Sequence, residues 1–187
     1  MTDELWLVAL TMEALAVGGH PVETGVGPRR AARTVRRHLR AGTPDVVLNL
    51  GLGGGLAPGL RAGDVVLVTG WVDGPPSHPG WTRALSRRLE RAGLRYTEGP
   101  ALTVGRPLWQ PQQKHEARER TGAALCEMEG RAVAEACGAA GVPVAAVRVV
   151  LDPADRRLER PPGPLPELPR ALAALRQVGR ALRPEGA

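Results

Sequence analysis

The run DVVLNLGLGGGLAPGLRAGDVVLVT, residues 45–69, decides the fold. Its two ends, 45–50 and 64–69, are apolar almost throughout rather than alternating, the pattern of strands buried on both faces. Between them stands the glycine run Gly51-Leu52-Gly53-Gly54-Gly55. A dinucleotide-binding turn would need a third glycine at position 56 and a helix directly after it. Position 56 is Leu56, and the chain continues through Pro58-Gly59 into the second strand. The run is therefore either a tight connection between neighbouring strands or a place where the backbone, lacking a Cβ, comes close to a ligand.

Outward from this run, 5–10 (LWLVAL) and 144–150 (VAAVRVV) are further buried strands, with one or two short strands expected in 94–104 and a brief one at 124–127. Helices are expected over 29–40, with Pro28 near the first turn, over 82–92, 112–120 and 128–137, and from the Pro-rich stretch 161–169 to about 182. Residues 18–28 read as turns and a glycine loop, Gly25-Val26-Gly27-Pro28, leading into the first helix. Apolar strands separated by amphipathic helices predict an α/β fold whose largely parallel sheet is covered on both faces. Sites in such sheets lie at the C-terminal strand ends, which puts the segments after Leu10, Leu50, Val104 and Val150 on one rim.

With 187 residues, 43% of them hydrophobic, the chain supports one domain with a sizeable core, expected to span 1–187. The abundance of Leu and Val excludes disorder, no apolar run is long enough for a membrane span, and the N-terminus lacks the basic start of a signal peptide, so a cytoplasmic protein without a membrane partner is expected. Cys126 and Cys137 form neither a disulfide framework nor a metal pair, and the four histidines are scattered, so no metal is expected. The net charge of +6 is built from 24 arginines and one lysine, Lys114. At helical spacing Arg29, Arg33, Arg36, Arg37 and Arg40 share a face opposite Ala32, Val35 and Leu39, as in a solvated surface helix. No aromatic residues interleave with these arginines, so nucleic acid is not the expected partner.

Two short segments carry chemistry. In Glu127-Met128-Glu129-Gly130 two acids flank a methionine at a helix entry. They either complement the helix dipole or present a carboxylate to sugar hydroxyls while the methionine packs on the sugar. Asp152, directly after a buried strand, is either a turn or cap residue or a site acid. Arg148, inside that strand, must be paired, and Glu127 is a candidate partner.

Three segments in order, 46–67 (VVLNLGLGGGLAPGLRAGDVVL), 127–134 (EMEGRAVA) and 142–155 (VPVAAVRVVLDPAD), resemble the nucleoside phosphorylase and nucleosidase superfamily, which includes methylthioadenosine/S-adenosylhomocysteine nucleosidase and purine nucleoside phosphorylase. Within it the segments 120–124 and 149–156, with Leu52, look most like the hopanoid-associated phosphorylase-like branch, futalosine hydrolase being a more distant relative. The resemblance implies a three-layer αβα single domain with a mixed, largely parallel central sheet. It implies cleavage of the N-glycosidic bond of a purine nucleoside or a 5′-modified one, with no cofactor beyond phosphate where the reaction is phosphorolysis. Such cleavage passes through an oxocarbenium-like sugar and needs an acid for the departing base. By similarity Asp152 is that acid and Glu13 orients the attacking water. Glu129 binds the ribose hydroxyls, Met128 lies on the sugar, Glu127 joins them as a substrate-binding residue, and Gly25, Gly51 and Gly53 let the backbone approach. Trp109, in the segment that holds the base, either stacks on it or belongs to the core.

Two departures favour hydrolysis over phosphorolysis. Leu52 stands where the family commonly has a serine, and Asn49 where hexameric phosphorylases have a phosphate-binding arginine, leaving Arg29 or Arg30 as substitutes. A non-catalytic nucleoside-binding or assembly protein on the same fold is the alternative. The family's habit of completing the pocket from a neighbour implies a homo-oligomer, a dimer or a hexamer.

Overall fold

The computed structural model describes residues 2–157 and 165–183. Chain order is β1 (Glu4–Val8), α1 (Thr11–Val17), β2 (Val22–Glu23), α2 (Pro28–Ala41), β3 (Val46–Gly55), β4 (Val65–Trp71), α3 (Pro79–Arg91), β5 (Tyr96–Thr103), α4 (Pro111–Thr121), β6 (Leu125–Glu127), α5 (Gly130–Ala139), β7 (Val144–Asp152) and α6 (Leu168–Leu182). Positions 158–164, which include the start of the Pro-rich stretch, lie outside the described residues.

The seven strands form one mixed sheet in the order β2-β1-β3-β6-β5-β4-β7, and β7 also pairs with β3. The strands β3, β6, β5, β4 and β7 thus close into a ring, with β1 and β2 as an extension beside β3. The pairs β1–β2, β1–β3, β3–β7, β4–β5 and β5–β6 are parallel, whereas β3–β6 and β4–β7 are antiparallel. This is the mixed, largely parallel α/β sheet that was expected. The continuous apolar runs are explained by burial on both faces. In β7, Ala145, Val147 and Val149 belong to one core with α1, α3 and α6, while Val144, Ala146 and Val150 belong to the other with α2 and α5. Leu48 and Leu50 against Val47 divide β3 in the same way, as Val65 and Leu67 against Val66 and Val68 divide β4.

The glycine run is not a loop between strands. It extends β3 to Gly55, and the connection to β4 begins only at Leu56. Here β3 passes between β7 on one side and the short β6 on the other. A Cβ on Gly53 would lie 2.9 Å from the Cys126 carbonyl oxygen, and one on Gly55 3.2 Å from the Val150 side chain. The backbone does make a close approach here, but to other strands. Two short elements had no counterpart in the sequence reading: α1, in the unassigned stretch between the first strand and the turns and without a side-chain cap, and the two-residue β2 within the segment read as turns. In α2 the inward residues are Ala31 and Val35, with Leu39 packed beside them, so the buried stripe starts one residue earlier than Ala32. Helices α3 and α5 are shifted from their expected bounds, to Pro79–Arg91 and Gly130–Ala139, and 94–104 holds one strand, β5.

Candidate active site

A cavity of about 330 Å³ opens over the strand ends, between the turn after β1, the end of β3, the β5–α4 connection, the β6–α5 turn and the end of β7. That volume is at the small end of the roughly 300–1,000 Å³ typical of small-molecule sites. The rim inferred from the strand ends is therefore a real concavity, and Glu13, Glu127, Met128, Glu129, Asp152, Trp109 and Gly53 all line it.

Glu13 enters from the first turn of α1. Its Oε2 accepts the Ala9 and Leu10 backbone N–H groups at 2.9 Å each, and its Oε1 accepts that of Leu52 at 2.7 Å. Burial raises the pKa of this carboxyl, against the lowering effect of the N–H donors and of Arg148. Gly51 is not in the lining but supports it from beneath. Its φ is +155° and a Cβ there would sit 2.9 Å from Glu13 Oε1, so glycine is required for the carboxylate to reach Leu52.

Glu127, at the end of β6, is fully engaged within the protein. Its Oε2 accepts the N–H groups of Glu129 at 2.9 Å and Gly130 at 2.5 Å, and lies 3.3 Å from Arg148 Nη2; its Oε1 accepts the Thr103 hydroxyl. Arg148 also donates to the Asn49 carbonyl at 2.7 Å. The pairing of Arg148 with Glu127 is thus present, and it corrects the expectation for Glu127. With both oxygens occupied, this carboxylate caps the start of α5 and neutralises Arg148 rather than reaching toward a ligand.

Glu129 is arranged differently. Its Oε1 accepts the Gly27 N–H at 2.7 Å, tying the glycine loop before α2 to the β6–α5 turn, and its Oε2 has no hydrogen-bond partner among the described residues. Burial, with Glu127 adding to it and the Gly27 N–H opposing, raises its pKa. Gly25 itself holds a turn, with φ +75°, and only its neighbour Val26 reaches the cavity. Arg29 and Arg30 are exposed and outside the cavity lining.

Asp152 ends β7, and Oδ2 accepts a hydrogen bond from Lys114 Nζ. Lys114 projects from α4, is 1% exposed, and also donates to the Pro153 carbonyl at 2.8 Å. Burial raises the Asp152 pKa, with Lys114 opposing. A Cβ on Gly54 would lie 3.1 Å from the Cys126 sulfur, so the glycine run also leaves room for this side chain. Lys114 is the residue that motif reading missed. One signal pointed to it: it is the single lysine among 24 arginines. Cys126 also lines the cavity, and burial, reinforced by Asp152, pushes its thiol up to about 12, so it stays protonated and is no nucleophile. The segment before α4 is fixed by Gln113, whose Oε1 accepts the backbone N–H groups of Trp109 and Gln110. Among the described residues no cluster of three or more His, Cys, Asp or Glu side chains could hold a metal. No described helix is long and apolar enough to cross a membrane.

The chain matches the Phosphorylase superfamily over residues 17–75 and 72–178. It is 32% identical over 173 residues to the futalosine hydrolase of Streptomyces coelicolor, covering 79% of this chain and 73% of that protein. It is 28% identical over 155 residues to the 5′-methylthioadenosine/S-adenosylhomocysteine nucleosidase of Actinobacillus succinogenes, covering 72% of this chain and 67% of that one. The crystal structure of the corresponding Campylobacter jejuni nucleosidase superposes with a TM-score of 0.84 at 16% identity, covering 97% of both chains.

Proposed function

The chain belongs to the phosphorylase superfamily, and on that premise we propose that it is a nucleosidase that hydrolyses the N-glycosidic bond of a purine nucleoside or its 5′-modified derivative. One observation carries the reading: Glu13, Glu129 and Asp152, three buried carboxyls with raised pKa values, line a single nucleoside-sized cavity at the strand ends. Water attacks C1′ of the sugar and gives a proton to the Glu13 carboxylate. The C1′–N9 bond breaks with its electron pair passing to the purine, and N7 takes a proton from Asp152, so the base leaves neutral. Glu13 then loses its proton to solvent and Asp152 regains one. The second oxygen of Glu129 accepts from the ribose hydroxyls, Met128 packs on the sugar, and Trp109 flanks the base.

Hydrolysis is favoured over phosphorolysis because the site repels a dianion. Arg148 is paired with Glu127, Lys114 is held at the Asp152 end of the cavity, and the Gly27 N–H at the start of α2 is taken by Glu129. The test is base release from methylthioadenosine, S-adenosylhomocysteine, adenosine, inosine and futalosine, with and without phosphate. Release that is indifferent to phosphate is expected, and release that requires it would overturn the hydrolase reading. Saturable binding with no release from any of them would point instead to a binding protein.

We also propose a homo-oligomer. Met12 and Val26, both part of the cavity lining, are 41% and 42% exposed, and Leu15 on the same helix as Met12 is 77% exposed. Large apolar side chains standing at a cavity mouth suit a covering surface, and a second copy of the chain would supply it. Light scattering at micromolar concentration is expected to give at least twice the 19.8 kDa chain mass, and a monomer would exclude the arrangement.

A further inference from the structure

We propose that Lys114 sets the specificity of the base site, selecting purines that carry an oxygen rather than an amino group at C6. The inference rests on the reading of Asp152 as the group that meets N7 of the leaving base. A lysine ammonium has three N–H donors and no acceptor. At Lys114 one donor goes to Asp152 Oδ2 and one to the Pro153 carbonyl, and the third has no partner among the described residues, although the side chain is 1% exposed and lines the cavity. A buried donor left unpaired is destabilising, and a ligand acceptor would relieve it.

The chemistry of the purine edge then chooses between substrates. A 6-oxopurine presents two acceptors side by side, N7 and O6, whereas a 6-aminopurine presents an acceptor at N7 and a donor at the amino group. Protonated Asp152 and the spare Lys114 N–H form a donor–donor pair that matches the first edge. Against the second, ammonium faces amino group, and Asp152 Oδ2, the oxygen that would accept from that amino group, is already held by Lys114. Arginine, used 24 times elsewhere in this chain, would offer a rigid planar fork here, whereas lysine offers a compact tetrahedral set that serves Asp152, Pro153 and a base oxygen together.

Inosine and adenosine differ in the group at C6 and in the hydrogen that inosine carries on N1, and provide the test. The kcat/KM of the unmodified protein is expected to favour inosine by about 10- to 100-fold, the discrimination of one well-placed base contact. In Lys114→Met that preference should fall toward unity, with the loss on the inosine side. Lys114→Gln, which still gives Asp152 a donor, is the second variant should the first not fold, with the same collapse expected. A preference for adenosine in the unmodified protein, or an equal fall for both nucleosides in the variants, would overturn the proposal. Calorimetric binding of free hypoxanthine and adenine separates it from the hydrolase reading. Tighter hypoxanthine binding without any base release sinks the hydrolase alone, whereas equal binding of the two bases sinks the role of Lys114.

Discussion

Asp152→Asn is expected to lower base release by about 10²- to 10⁴-fold, the contribution of one general acid, and to destabilise the fold as well. The sequence alone would make this a mild change, an amide for an acid at a strand end. The ion pair with Lys114 changes that. Wherever Asp152 is ionised, replacing it leaves the Lys114 charge uncompensated, a loss that runs to about 3–5 kcal/mol where the partner cannot rearrange. Two effects are therefore entangled in one substitution, and a second variant separates them. In Asp152→Asn combined with Lys114→Met the uncompensated ammonium is gone, so much of the lost thermal stability should return while base release stays low. The two residues touch, so their effects on stability should be non-additive, and the size of the coupling measures the pair. Thermal unfolding and steady-state base release on the four proteins of the cycle provide the check. Full turnover in either Asp152 variant would remove Asp152 from the chemistry.

The same residue marks where the sequence was legible and where it was not. Its position after a long apolar run, and the order of the three motif segments, pointed to the strand ends, where the cavity lies, because a strand buried on both faces announces itself by continuous hydrophobicity. Pairing inside the site was only half legible. Arg148 had to have a partner because an isolated buried charge is prohibitive, and Glu127 was within the candidate set. Lys114 gave no comparable sign, since α4 is polar nearly all round and its inward face consists of Lys114 and Ala117 alone. A helix that packs through so narrow a face leaves no apolar stripe to orient it. The glycine run failed for another reason: glycines in a strand look like a loop unless one knows which neighbours crowd it, and the crowding at Gly53 and Gly55 comes from β6 and β7, more than 70 residues away. Helix α1 was hidden because seven residues without a side-chain cap carry too little periodicity to separate from the strand before them.

Glu13→Gln is expected to lose a comparable 10²- to 10⁴-fold in turnover, by about the contribution of one general base, but its signature is in the pH dependence. On the proposed mechanism Glu13 must be ionised to take a proton from water, so activity should rise with pH through its pKa. Asp152 must be protonated to give one to N7, so activity falls as pH rises through its own. Burial raises both values above the ordinary carboxyl range, so a bell-shaped profile with both limbs displaced upward is expected, its apparent values belonging to the site as a whole. Glutamine does not titrate, so the residual activity of the variant should keep the alkaline limb and lose the acid one. A purely structural Glu13 would leave the shape unchanged. The fold is weakened too: glutamine can turn its oxygen toward Ala9 and Leu10 or toward Leu52, but not both, leaving a donor facing a donor at about 1–3 kcal/mol. The sign of the linkage adds an independent reading. Because the folded pKa of Glu13 lies above its unfolded value, its contribution to stability is fully present below the unfolded value and is lost as pH rises through the folded one. The glutamine side chain has no such dependence, so the stability deficit of the variant should shrink from acid toward neutral pH. A deficit that grows with pH, or an acid limb that survives the substitution, would show that the base in this site is another group.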